Sequence, residues 1–220
     1  MRREVTLAEI SDGKLYGLNY MVKAGCNDCI GCSSCCRGMG SSITLDPVDV
    51  WRLTTGLGVS FEQMLKHYIE LNVVDGVILP NLKMAGTDES CLFLDEQGRC
   101  KIHAVRPGIC RLFPLGRYYE NETFRYFLQI NECKKENRMK VKVRKWIDTP
   151  DIKRYEEFIN NWHYFLKTLQ ERISGSTDGD LAKRISMYLL KQFYMMPYGS
   201  DDFYQEFAER LTEASNVLIK

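Results

Sequence analysis

Residues 26–36 read CNDCIGCSSCC, five cysteines in eleven residues (Cys26, Cys29, Cys32, Cys35 and Cys36), and the use made of these thiols decides what must be built around them. A lone cysteine is usually a small buried apolar side chain. This run is interleaved with Asn27, Asp28, Gly31, Ser33 and Ser34, so it offers no periodic apolar face to bury. Independent disulfides fit no better, because each bridge needs its own Cα separation and side-chain direction. The total of nine cysteines is odd as well. Thiols at this spacing converge on a shared metal.

Cys26, Cys29, Cys32 and Cys36 reproduce C-x2-C-x2-C-x3-C, the spacing with which a tight loop offers thiolates to a cubane cluster, although Arg37 follows where ferredoxins carry proline. Zinc asks for four tetrahedral ligands, commonly from two C-x2-C knuckles. Cys26/Cys29 or Cys32/Cys35 would supply one half, and Cys91, Cys100, Cys110 or Cys133 the other. Soft thiolate sets suit both metals. The expectation is at least one four-thiolate centre, an iron–sulfur cluster of the 4Fe–4S type being favoured and zinc the alternative.

The second cysteine-bearing stretch is RCKIHAVRPGICRLFP (99–114). Four thiolates leave net negative charge on zinc or a cluster, and nearby guanidinium groups offset it. Arg106 and Arg111 here, with Arg37 beside the first run, are therefore the candidate cofactor-side cations. The competing reading for Arg106 and Arg111 is an ordinary surface ion pair, for instance with Asp95. A cysteine beside such cations could also have a lowered pKa and act as a nucleophile or redox sensor. His103 lies between Cys100 and Cys110, but a lone histidine is more often packed or solvated than a ligand.

Turn and cap signals divide the rest. After a short leader (1–25) and the cysteine run, DPVDVWRLTTG (46–56) opens a helix with Asp46 as N-cap and Pro47 in the first turn, ended by Gly56 and Gly58. Ser60 and Gln63 make a capping-box pattern ahead of FEQMLKHYIEL, with Phe61, Leu65, Tyr68 and Ile69 on one helix face. From about Val73 to Ile130, GVILP, CLFLDEQGRCKI and GRYYENETFRYFLQI are short apolar pieces broken by turns, and read as hairpins. The DEQGR turn would bring Cys91 and Cys100 together, and Glu120, Asn121 and Glu122 sit at another bend. Beyond Cys133 the pattern becomes helical: Ile152, Tyr155, Ile159, Trp162, Leu166, Leu169 and Ile173 form one seam, followed by two helices, one aligning Leu181, Ile185, Tyr188 and Leu189 and the other Phe203, Phe207, Leu211 and Leu218. The expected fold is α+β, with a cysteine-rich metal-binding domain of short hairpins and helices at 1–135 and an α-helical extension at 136–220 packed on it and able to engage a protein partner.

Thirty basic against twenty-nine acidic side chains give a net charge of +1, so the whole molecule has no electrostatic bias toward nucleic acid or anionic membrane. KKENRMKVKVRK (134–145) is locally basic and could touch nucleic acid or a phosphorylated cofactor, a solvated face being the commoner reading of such a run. No segment approaches the roughly 20 apolar residues of a membrane span, and no secretory leader is visible, which points to the cytoplasm, where thiols stay reduced. No G-x-G-x-x-G, Walker loop, H-E-x-x-H or G-x-S-x-G occurs, nor the C-x3-C-x2-C of radical S-adenosylmethionine enzymes.

On these residues the chain resembles the YkgJ-like cysteine-cluster family of zinc- or iron-chelating proteins over about 26–133. The likeness rests on CxxCxxCC at Cys29, Cys32, Cys35 and Cys36, on the following ITLDPVDVWRL, and on the CLFLDEQGRCKI and VRPGICRLFP segments. The resemblance implies Cys32, Cys35, Cys36, Cys91, Cys100 and Cys110 as the family ligands, Cys26 and Cys133 being further candidates from spacing, and His103 stands where the family more often has tyrosine. A more distant likeness to cysteine-containing flagellin lysine methylases implies one enzymatic route, metal-supported methyl transfer from S-adenosylmethionine.

Overall fold

The computed structural model describes residues 6–26, 32–199 and 202–219. In chain order it contains α1 (Leu7–Ile10), β1 (Ser11–Tyr16), β2 (Met21–Gly25), a 3-10 turn (Ser34–Cys36), α2 (Pro47–Leu57), α3 (Phe61–His67), β3 (Ile69–Val74), β4 (Val77–Leu82), β5 (Met84–Ala85) and β6 (Ser90–Cys91). A second 3-10 turn (His103–Val105) precedes α4 (Gly108–Leu112), β7 (Leu115–Glu120), β8 (Thr123–Gln129), β9 (Met139–Lys142), α5 (Val143–Ile147) and α6 (Ile152–Ser174). The chain ends in α7 (Leu181–Leu189), a π-helical turn (Leu190–Met195) and α8 (Phe203–Leu218). The fold class is α+β, and the chain forms two compact units, one from Thr44–Leu82 with the chain from Lys153 onward, the other from the chain up to Ile43 with Lys83–Ile152.

The first unit is a helical assembly around one hairpin. Asp46 caps α2 by accepting from the Asp49 amide at 2.9 Å while the Asp49 carboxylate accepts from the Asp46 amide at 3.3 Å, with Pro47 in the first turn and Gly58 in the left-handed conformation at the other end. Exchanging Asp46 for alanine removes one acceptor from an orphan amide, and should destabilise the protein by about 1 kcal/mol in urea denaturation, with Asp46→Asn close to wild type. The expected Ser60–Gln63 capping box also forms at α3. That helix is shorter than its apolar seam suggested. It stops at His67, Tyr68 leaves helical geometry, and Ile69 begins β3 instead of continuing the helix face. β3 and β4 pair from Ile69↔Leu82 to Val74↔Val77, closed by Asp75 and Gly76, both at positive φ. A two-residue Asp-Gly turn of that kind matches the strand twist, and with β-branched IELNVV it outweighs the short helical repeat.

β4 packs on α7, and the Ile78 amide donates to Ser186 Oγ at 3.0 Å. The seam of α6 is buried at Tyr155, Ile159, Trp162 and Leu169, with Phe158 and Phe165 added to it. Trp162 lies 5.0 Å from Phe193 and Phe158 lies 4.5 Å from Phe207, ring centroid to centroid, so α6, the π-turn and α8 meet in one aromatic core.

The second unit contains the three-stranded antiparallel sheet β1-β8-β7 and the ribbon β2-β9. β7 and β8 turn at Asn121 and Glu122, both at positive φ, as the bend residues indicated. Gly116 lies opposite Phe127, whose ring fills the space where a Cβ would stand. Two expectations change here. The leader up to Gly25 contributes α1, β1 and β2, and the stretch after Cys133 is not helical at first, because Met139–Lys142 forms β9 on β2 before α5 begins. Gly25 is needed at that ribbon: a Cβ there would sit 3.1 Å from the Met139 carbonyl oxygen.

Candidate metal centre

Every described cysteine lies in the second unit, all are free thiols, and each is half-buried. Cys35 and Cys36 sit on the 3-10 turn Ser34–Cys36, which places neighbouring thiols on a tight bend. Cys91 ends β6, which pairs with β5, while Cys100 bridges to Leu94 across the Asp95–Arg99 turn. Thus Cys91 and Cys100 do approach as expected, but the strand partner of Cys91 is Met84 rather than the CKI segment. Cys110 lies within α4 and Cys133 in the connection from β8 to β9. Cys26 directly follows β2, and Cys29 is outside the described residues.

The first cysteine run is held against β6 by Arg37. Its guanidinium donates to the Asp88 carboxylate and to Ser90 Oγ at 2.5 Å, and its Nε lies 3.4 Å from Ser33 Oγ. Arg37 and Ser90 also form a backbone bridge, and the Gly38 amide donates to the Glu89 carbonyl at 3.1 Å. Arg37 therefore fastens the turn of Cys35 and Cys36 beside the strand of Cys91.

Arg111 is 8% exposed and donates to the carbonyls of Arg106 at 3.2 Å, Asp148 at 2.9 Å and Ala104. It fixes the loop between Cys100 and Cys110. Arg106 binds the Nε2 of His103, so that ring nitrogen faces a guanidinium.

Electrostatics join the segments. The Cys35 thiol is pushed far above the ordinary range, first by its hydrogen bond with Cys36, then by burial and by the charges of Cys36 and Cys32. Burial raises Cys100, with Cys35 adding to the rise and the Ile102 amide, Arg106 and Arg99 opposing it. Burial likewise raises Cys91, which also feels Cys100. Cys32 moves the other way, lowered chiefly by the Ser34 amide, with Lys135 and Lys134 contributing, and its Sγ lies 3.7 Å from Ser34 Oγ. Cys32, Cys35, Cys36, Cys91 and Cys100 therefore form one coupled series drawn from two chain segments, and the lysines after Cys133 reach it from a third. Among the described residues, no three Cys, His, Asp or Glu side chains stand close enough to hold a metal ion.

The donor chemistry fits a thiophilic metal. Partly buried thiols crowded into mutual repulsion resist ionising in turn, and a bound cation relieves that repulsion while amides and arginines offset the remaining charge. The spacing of the cysteines assigns Asp88 no role at the site, and Lys134 and Lys135 figure in the sequence only as part of a basic run. The two lysines carried a usable signal, standing directly after Cys133.

Among the described residues, no helix is long and apolar enough to cross a membrane. The chain is 37% identical over 87 residues to an uncharacterized protein of Methanocaldococcus jannaschii, an alignment covering 39% of this chain and 43% of that relative. The chain thus spans less than half the length of the curated relative it matches. No solved structure matches it. The profile of a cysteine-cluster family covers residues 28–145, more than half of the chain and all of the coupled thiols, which makes metal chelation the property supported for this region. The protein belongs to the CxxCxxCC family, described as "Putative zinc- or iron-chelating domain".

Proposed function

We propose that the chain holds a thiolate-ligated centre on Cys32, Cys35, Cys36, Cys91 and Cys100, with Cys29 and Cys110 available to complete the set, and that a 4Fe–4S cluster is its occupant. The observation that carries this reading is the placement of the Cys35–Cys36 turn beside the strand of Cys91, held there by the Arg37–Ser90 backbone bridge and the Arg37 bond to Ser90 Oγ. A tetrahedral zinc and a cubane each take four thiolates, and the C-x2-C-x2-C-x3-C spacing of Cys26, Cys29, Cys32 and Cys36 is what favours the cubane. Such a cluster supplies one-electron redox chemistry, or supports group transfer. The chain's own residues orient the thiols and balance their charge: Arg37 through β6, Arg111 through the 100–110 loop, Arg99 and Arg106 by their charge on Cys100. A reducing compartment such as the cytoplasm keeps the thiols available.

Anaerobic purification followed by iron, sulfide and zinc analysis tests the assignment. About four iron and four sulfide per chain, with a brown colour, is the expected result. A colourless protein holding stoichiometric zinc and no sulfide would sink the cluster and leave the alternative, a zinc module whose metal is structural.

A further inference from the structure

Between Lys134 and Lys145 the chain carries seven cations and one carboxylate, Glu136. The structure gives this run a defined surface. β9 pairs antiparallel with β2, Met21 opposite Lys142 and Val22 opposite Val141. Residues opposite one another share a face and successive residues alternate. Val22 and Ala24 are turned inward and buried, while Met21, Lys23, Lys140 and Lys142 are exposed on the outer side. Tyr20 and Met139 stand exposed at the ends of the ribbon, at 63% and 65%. Among the described residues no carboxylate pairs with Lys23, Lys140 or Lys142.

We propose that this outer face of the β2-β9 ribbon is a docking surface for an acidic protein segment. Three unpaired lysines set around the exposed side chain of Met21, with Tyr20 and Met139 exposed at the two ends of the ribbon, have the anatomy of a protein interface, in which Met and Tyr are enriched at the apolar centre and charge lies at the rim. Nucleic acid is the weaker candidate, because it gains nothing from exposed methionines and the whole chain is nearly neutral. The basic run also begins beside the cysteines, since Lys134 and Lys135 reach Cys32. A docked acidic segment would therefore lie next to the thiol cluster. The surface does not depend on which metal the cysteines hold.

Fluorescence anisotropy with a labelled peptide of alternating glutamate and leucine tests the proposal on the full chain as purified. Single-stranded DNA and phosphatidylserine vesicles serve as comparison probes. The peptide is expected to bind, and to bind about tenfold more weakly when salt is raised to roughly 0.3 M. K140E/K142E should weaken binding about tenfold or more at low salt. M21S should weaken it at both salt concentrations alike. K183E/K191E makes the same change in net charge at exposed lysines of α7 and the π-turn, and should bind as wild type, with far-UV circular dichroism confirming that each variant is folded. The proposal falls if wild type ignores the peptide, if K140E/K142E binds normally, or if K183E/K191E loses as much. Tighter binding of DNA or vesicles, lost in K140E/K142E, would assign the ribbon to that partner instead.

Discussion

Serine in place of Cys35 is expected to abolish stoichiometric metal binding. Of the described thiols, Cys35 is the one coupled to the rest of its own run and to Cys100 on the separate loop, so its loss removes the donor that ties the two halves of the site together. Replacing groups that merely orient a ligand costs about 10–100-fold in affinity, so removing a central ligand should cost more than about 100-fold. The hydroxyl is no substitute, because an oxygen that stays protonated is a poor donor to a soft metal. Competition with a chromophoric chelator measures the loss, and Cys35→Ser/Cys100→Ser should be no worse than the single variant once the centre has gone. If Cys35→Ser retained wild-type metal content and affinity, the proposed ligand set would be wrong.

The same thiols set a pH dependence. Cys35, Cys91 and Cys100 all have raised pKa values, so at neutral pH each holds its proton and metal binding must displace it. Affinity should therefore climb as pH rises and collapse as it falls, with protons released on binding. Cys32, lowered by the Ser34 amide and the two lysines, ionises more readily than Cys35, Cys91 and Cys100 and is a natural point of capture. Its variant should slow loading more than it weakens the loaded state, which stopped-flow metal uptake can resolve.

Local signals in the sequence carried well where the physics was local. DPVD became the capped first turn of α2, SFEQ the box of α3, and the Asn121–Glu122 bend a tight hairpin, because each is decided by hydrogen bonds within a few residues. The thiol run and the approach of Cys91 to Cys100 were legible for the same reason. Partnerships across long stretches were not. β9 pairs with β2 more than a hundred residues earlier, and nothing in MKVK names its partner. Cys91 similarly pairs through Met84, a residue with no distinguishing chemistry. Ile69 shows a third kind of failure, in which a short apolar repeat compatible with a helix is overruled by a downstream Asp-Gly turn that rewards a strand. The support of the site, above all Arg37 on Asp88 and Arg111 on three carbonyls, depends on such distant pairings and could not be read from spacing.

Phe193→Ala is expected to be the most damaging single change in the helical unit. The side chain is fully buried in the π-helical turn, with ring centroids of Trp162 at 5.0 Å, Phe165 at 6.1 Å and Phe207 at 5.7 Å around it. Truncation removes the transfer free energy of the ring and leaves a cavity lined by other rings, which cannot rotate inward without losing their own contacts. The cost should be about 3–5 kcal/mol. A π-turn deepens the effect, because its extra residue per turn is unfavourable in itself and is kept where packing rewards it. Leucine at 193 keeps most of the volume and should recover more than half of the loss. Urea denaturation followed by tryptophan fluorescence measures this, with Trp51 and Trp162 both in the same unit. A double-mutant cycle with Trp162→Leu separates the ring-ring term, which should be about 0.5–1.5 kcal/mol beyond area burial. A total loss below about 1 kcal/mol for Phe193→Ala would mean that the aromatic core closes over the gap, and that the π-turn is held by other bonds, such as those from Arg210 to the Gln192 and Met196 carbonyls at 2.6 and 2.9 Å.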